Sequence, residues 1–190
     1  MTRERIRSSI SMKLRGFAAD QRGVSALEFA LLMPLMITLY LGGVEISQAV
    51  SAARKATLVS HTIGDLVAQS SDITDSDKTN ILNAASSVAY PFAIANLQVT
   101  VSSVCIDATG RATVAWSETL NGTTRSGIVT SSIPSALLVA NTSLIWGEAT
   151  YSYRPTIGWT ITGTLTLKDK IFLRPRVSAS VTRSSASACP

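Results

Sequence analysis

Residues 24–44 read VSALEFALLMPLMITLYLGGV, and this stretch decides the fold class. It contains 21 residues and a single charged side chain, Glu28. A helix of that length spans about 31 Å at 1.5 Å per residue, which matches a hydrocarbon core of about 30 Å. A helix buried in a soluble domain fits less well, because every face of the segment is apolar. The stretch therefore predicts a transmembrane helix over residues 24–44.

The charge distribution predicts the orientation of that helix. The 190-residue chain has 17 Lys and Arg against 12 Asp and Glu, a formal net charge of +5. Six of the bases and two of the acids lie in residues 1–23, so four of the five net charges belong there. Because basic flanks stay in the cytoplasm, residues 1–23 are predicted to be a basic cytoplasmic leader and the C-terminal part to be exported. The remainder carries only +1, which does not favour nucleic acid as a partner.

The helical pattern continues beyond the apolar stretch. Apolar side chains recur at steps of three or four through Ile46, Val50, Ala53, Ala56, Val59 and Ile63. This spacing predicts an amphipathic continuation of the same helix over residues 45–70.

Residues 71–190 are predicted to form an exported head domain of mixed α and β structure. A polar loop over residues 71–77 leads into a second helix, capped by Asp75 or Ser76. From Leu97 the apolar period changes to two, which indicates an antiparallel sheet. Further strands are predicted over residues 111–118, 144–153, 160–168, 171–173 and 177–182, while residues 133–141 fit either a short helix or a strand. The fold class is α+β.

Glu28 lies in a setting that identifies a family. A carboxylate in a membrane segment is costly unless it is paired, and this one stands five positions after Gly23 and directly before Phe29. The run from Gly23 to Phe29 resembles the processing site of type IV pilins of the Flp/Tad branch. The block RGVSALEFALLMPLMITLYLGGVEISQAV resembles TadE-type pilus-assembly proteins. Two distal motifs, YSYRP at residues 151–155 and RPR at residues 174–176, resemble the same family.

The resemblance implies a processing event and a set of partners. A prepilin peptidase would cleave after Gly23, leaving Val24 as the first residue, Glu28 as the fifth and Phe29 at the aromatic position. Glu28 could then neutralise the new amine at Val24 of a neighbouring subunit, since a close pair offsets much of the cost of two isolated charges. Other pilins and pilus-assembly proteins are the implied partners, together with the membrane.

The implied function is structural. The chain would be a minor pilin or pseudopilin of a Tad-type (type IVb) pilus that supports pilus assembly and surface adhesion. It would lie in the bacterial inner membrane as a single-pass protein, with its N-terminus cytoplasmic and its C-terminal domain periplasmic or extracellular. The alternative is an unprocessed, signal-anchored periplasmic scaffold or binding protein of a secretion machine.

Catalytic and metal-binding patterns do not emerge from the sequence. The one histidine, His61, has Asp65 four residues on, which indicates a surface helix pair. Asp72, Asp75 and Asp77 lack the glycine and terminal glutamate of a calcium loop. We therefore expect no enzyme activity, no cofactor, no metal and no small-molecule substrate. Arg174, Arg176 and Arg183 lie among Ser and Val and are interpreted as charges at strand edges.

The two cysteines, Cys105 and Cys189, both fall in the predicted exported part. In an oxidising compartment two such residues most often form an intrachain disulfide. Two unpaired thiols, or an intermolecular bridge through Cys189, are the alternatives.

Overall fold

The computed structural model describes residues 22–158, 163–183 and 189. The chain divides into two compact units, with the boundary between Val44 and Glu45. Almost all of the predicted basic leader lies outside the described residues.

Helix α1 runs from Arg22–Ala68, 47 residues with Pro34 inside it. It is long and apolar enough to cross a membrane, as predicted, and it ends two residues before the predicted limit at Ser70. Pro34 has no N–H to donate to the preceding turn. Its own carbonyl accepts a hydrogen bond from Thr38 Oγ1 at 2.8 Å.

Helix α2 covers Asp75–Ala89 and begins at a cap that the sequence analysis placed wrongly. The N-cap is Thr74, whereas Asp75 and Ser76 are already helical. Thr74 Oγ1 accepts a hydrogen bond from Asp77 N at 3.2 Å, and the Asp77 carboxylate accepts one from Thr74 N at 3.0 Å. A reciprocal capping box needs a side-chain acceptor three positions after the cap. Asp77 is that acceptor for Thr74, whereas Lys78, three positions after Asp75, is not an acceptor.

Four antiparallel strands form the main sheet: β2 (Leu97–Ile106), β3 (Ala112–Leu120), β4 (Thr142–Tyr153) and β5 (Leu165–Leu173), in the order β3-β2-β4-β5. Two further strands, β1 (Asp72–Ile73) and β6 (Thr182–Arg183), form a short parallel pair. The predicted α+β fold, with a second helix and an antiparallel sheet, is confirmed.

Three predicted elements of the head differ from the structure. Residues 165–173 form one strand, because β5 pairs with β4 without interruption where a break was predicted; residues 160–162 lie outside the described part. Of the strand predicted over residues 177–182, only Thr182 is in a strand. That strand, β6, has two residues because its partner β1 has two residues. Residues 133–141, ambiguous in the sequence, form neither a regular helix nor a strand: a 3-10 turn, Ser135–Leu137, follows another at Thr130–Ser132.

The main sheet has a core on each face. On the helix face, side chains such as Val99, Ile145 and Ala149 belong to one cluster with Val59 and Ile63 of α1. The outer face is covered by the segment between β3 and β4. Its cluster comprises Val104, Ile106, Ala112, Ile133, Leu144 and Trp146.

A bulge in β3 lets this strand contribute side chains to both cores, Ala112 to one and Trp116 to the other. Ser103 pairs with Trp116 and Val104 pairs with Val114, so Ala115 is the extra residue. The shift turns Trp116 to the helix face, where its Nε1 donates to the carbonyl of Val181 at 2.8 Å.

Helix α1 approaches the sheet most closely at Gly147 of β4. A Cβ on Gly147 would stand 2.8 Å from the carbonyl oxygen of Ser60 and 3.5 Å from the Cα of Gly64. Real side chains do not tolerate a backbone oxygen at that distance, so the helix can reach this depth only over a glycine.

We predict that Gly147→Ala lowers the free energy of unfolding by about 1–3 kcal/mol, because the added methyl group forces α1 away from the sheet. Denaturant unfolding of the full chain in detergent measures this. Gly64→Ala is the matched control. Its Cβ would meet only the Ile171 and Leu173 side chains at 3.2 Å, and a helical Gly→Ala change is itself favourable by up to about 1 kcal/mol. Equal destabilisation by the two changes would contradict the close approach as the cause.

Arg183 is a buried ion-pair centre, and its interpretation as a strand-edge charge is wrong. Its side chain is 7% exposed, with Nε 2.8 Å from Glu118 Oε1 and a terminal nitrogen 2.6 Å from Asp75 Oδ1. Lys78 Nζ lies 2.6 Å from the second oxygen of Glu118. The pairing of β6 with β1 brings Arg183 between α2 and β3, a placement that only the tertiary structure determines.

These contacts lower the pKa of both carboxyl groups, Asp75 and Glu118. The hydrogen bond and charge of Arg183 lower the pKa of Asp75. Burial acts to raise the pKa of Glu118, but hydrogen bonds from Lys78 and Arg183 outweigh it and leave that pKa lowered. A carboxyl with a lowered pKa in the folded state stabilises the fold above its unfolded pKa, and this stabilisation is lost as the pH falls.

We predict that the head loses stability as the pH falls below about 4, where carboxyl groups protonate, and that Arg183→Met shrinks this pH dependence. The melting temperature of the full chain in detergent, measured from pH 7 to pH 3, tests both points. Arg174→Met, at an exposed position, should leave the dependence intact. If the Arg183 variant keeps the full acid sensitivity of the wild type, the ion pairs are not its origin.

Candidate functional site

The predicted processing site lies in the first two turns of α1. Gly23 and Val24 are the second and third residues of α1 as the structure describes it. Val24 is 55% exposed and Phe29 60% exposed. Among the described residues, apart from the neighbouring backbone of the helix, no atom lies within 4 Å of the position that a Cβ on Gly23 would take. The described part of the chain therefore leaves the Gly23–Val24 bond accessible.

Glu28 lies one helical turn after Val24. Residues four apart share a face of a helix, so the side chains of Val24 and Glu28 are on the same side. Glu28 is exposed on the surface of this unit.

The surface around Glu28 is apolar from Val24 to Val44. Large apolar side chains here are exposed to a degree that water-soluble surfaces rarely show. They comprise Val24, Leu27, Phe29, Leu31, Leu32, Met33, Leu35, Met36, Ile37, Leu39, Tyr40 and Val44. Hydrocarbon or other apolar helices are the surroundings that suit this surface.

Glu45, the first residue of the second unit, binds the backbone of the loop after β4. Its carboxylate accepts hydrogen bonds from Ile157 N and from Gly158 N, the latter at 2.9 and 3.1 Å. A Cβ on Gly158 would stand 2.7 Å from the same carboxylate. This contact could not be predicted from the sequence, because Glu45 and residues 157–158 are more than 100 positions apart.

His61 does not form the predicted pair with Asp65. Its Nε2 lies 3.9 Å from Asp169 of β5, and Asp65 instead forms an ion pair with Arg176. The hydroxyl of Ser60 donates to the Asp169 carboxylate at 2.6 Å. Packing of α1 on β5 thus gives His61 a partner from a distant strand. Among the described residues no group of three or more His, Cys, Asp or Glu could hold a metal ion.

Cys105 of β2 and Cys189 are joined by a disulfide in the structure, with their Cα atoms 5.4 Å apart and a separation of 84 positions in sequence. The bond ties residue 189 to a central strand of the sheet.

We predict that both thiols are blocked in the membrane-extracted protein and that reduction lowers the free energy of unfolding by about 2–4 kcal/mol, because opening the loop restores entropy to the unfolded chain. Alkylation before and after reduction, read by mass spectrometry, checks the bond. A Cys105→Ser/Cys189→Ser variant should lose the sensitivity to reductant. Two freely alkylated thiols in the unreduced protein would contradict the prediction.

One apolar helix is long enough to cross a membrane and continues into an α+β head, which is consistent with a membrane-anchored protein. Residues 23–63 match the family described as TadE-like protein. The match begins at Gly23 and includes Val24, Glu28 and Phe29, so the predicted TadE-like resemblance is confirmed over this segment. The family suggests a Tad pilus-associated protein.

The match ends within α1 and does not reach the distal motifs at residues 151–155 and 174–176, whose likeness to the family stays a prediction. No curated protein and no solved structure matches the chain.

Proposed function

We propose that this chain is a minor pilin or pseudopilin of a Tad-type pilus that supports pilus assembly and surface adhesion. The observation that carries the proposal is the coincidence of the TadE-like segment, residues 23–63, with the exposed apolar helix that begins beside Gly23. An apolar helix of this kind suits two successive environments: lipid before assembly and neighbouring apolar helices after it.

Processing by a prepilin peptidase is part of the proposal. Cleavage between Gly23 and Val24 would remove the basic leader and leave a helix with a free amine at its first residue. The sharp change from six bases in residues 1–23 to a nearly neutral remainder supports a leader with a topological role. In this arrangement the N-terminus is cytoplasmic and the head lies in the periplasm or outside the cell.

Glu28 is proposed to pair with the amine of Val24 on a neighbouring subunit. A carboxylate on an apolar helix surface is costly alone, and a new amine in the same surroundings is equally costly. Because both groups lie in the first two turns of α1, lateral packing of two helices in similar register can bring them together. The pair would then favour assembly over isolated subunits.

We predict that the mature protein begins at Val24 and that Gly23→Asp abolishes this processing, since an acidic side chain replaces the residue with no Cβ at the cleaved bond. Mass spectrometry of protein extracted from cells with an active prepilin peptidase gives the N-terminus directly. Gln21→Asn, a conservative change beside the site, is the control and should be processed normally.

The same experiment separates the alternatives. A wild-type chain that keeps its leader in these cells would reject the pilin proposal and favour an unprocessed, signal-anchored scaffold.

We predict that Glu28→Gln is cleaved at the same bond yet fails to accumulate in purified pili, because it cannot neutralise the amine. Normal incorporation of that variant would rule out the charge-pair role.

A further inference from the structure

A groove crosses the outer face of the main sheet beside β5. It has a volume of about 540 Å³, and we call it the outer-face groove; its lining residues include Ser131, Ser132, Trp146, Glu148, Lys168 and Lys170. A second cavity of about 210 Å³ shares Glu148 and Lys168 with it. The two cavities therefore lie next to each other on strands β4 and β5, and we call them together the recess.

The outer-face groove has an excess of positive charge. Lys168 and Lys170 are both exposed, and the alternation of β5 puts them on the same face. Among the described residues, neither ammonium group has a carboxylate within 4.0 Å. Glu148 is already paired with Arg125, and the Asp169 carboxylate is turned to the helix face, where it binds Ser60. Asp169 also lines the groove, and Lys170 Nζ lies 6.0 Å from the centroid of the Trp146 ring. Neither Lys168 nor Lys170 is thus paired with a carboxylate of the described residues.

The rest of the recess offers hydrogen bonds and little apolar contact. The second cavity is lined by Gln98, Thr100, Thr123, Thr124 and Thr150 in addition to the charged residues. Trp146 is the one large apolar side chain of the groove wall, and Arg125 covers its ring at 3.7 Å. The buried Nε1 of Trp146 has no hydrogen-bond partner among the described residues.

We propose that the outer-face groove binds an acidic saccharide, with Lys168 and Lys170 contacting the carboxylates of uronate-type sugars and the hydroxyl-lined recess contacting the sugar hydroxyls. Carboxylate recognition by ammonium groups is charge-assisted and strong for a hydrogen bond. An acidic peptide would meet the same charges, but Trp146 is the one large apolar side chain of the groove against which it could pack. A polyhydroxylated ligand uses the donors and acceptors that the recess presents.

The full chain in detergent micelles, titrated with tetragalacturonate by calorimetry, tests the proposal. Binding should be measurable, should weaken with added salt because exposed charges are screened, and should be absent for a neutral galactose tetrasaccharide. Lys168→Gln/Lys170→Gln should weaken binding by about tenfold or more, which is about 1.4 kcal/mol per factor of ten. Arg54→Gln/Arg111→Gln removes the same net charge at exposed positions elsewhere in the head and should change binding less than about twofold, because neither side chain lines the recess.

Three results would overturn the proposal. One is no binding of tetragalacturonate; another is equal loss in the two double variants, which indicates attraction to net charge alone. The third is binding of tetraglutamate as tight as that of the sugar, which assigns the groove to an acidic peptide. Because the groove does not involve Gly23, the Gly23→Asp protein should bind the sugar normally, so the binding result is independent of the pilin proposal.

Discussion

The close approach of α1 to the sheet at Gly147 is the contact on which the head depends. A Cβ at this position would lie 2.8 Å from the Ser60 carbonyl oxygen. Because Gly147 has no Cβ, the helix can lie deep enough for Val59 and Ile63 to be fully buried. The same depth brings the hydroxyl of Ser60 to Asp169 of β5. A helix displaced by one methyl group would weaken the helix-face core and this hydrogen bond together, since protein interiors leave no space to absorb such a shift.

Much of the fold follows from local pattern. The apolar run over residues 24–44, the helical spacing after it and the alternation from Leu97 each identify an element type, because these periods are set by backbone geometry. Strand ends were less predictable. The continuity of β5 and the two-residue length of β6 depend on the partner strand, β4 in one case and β1 in the other. A single sequence does not state which strands will pair.

Some residues of the candidate sites could likewise be identified from the sequence, and others only from the structure. Gly23, Glu28 and Phe29 could be identified from the sequence, since their relation is one of short spacing along a single helix. Arg183 and the outer-face groove could not. The partners of Arg183 are more than 60 residues away in sequence, and the groove combines β4 and β5 with the segment after β3. Charges in such positions look like ordinary surface residues until the chain is folded.

The segment over residues 176–183 has a consequence for the order in which the head can form. Arg176 donates its N–H to Ala68 at the end of α1, Val181 accepts from Trp116, and Arg183 joins α2 to β3. All of these contacts are distant in sequence, so their loop-closure entropy must be overcome late. During synthesis these contacts cannot form until residues 176–183 have been made. The head is thus a structure completed from its last strand, well after the apolar helix has been made.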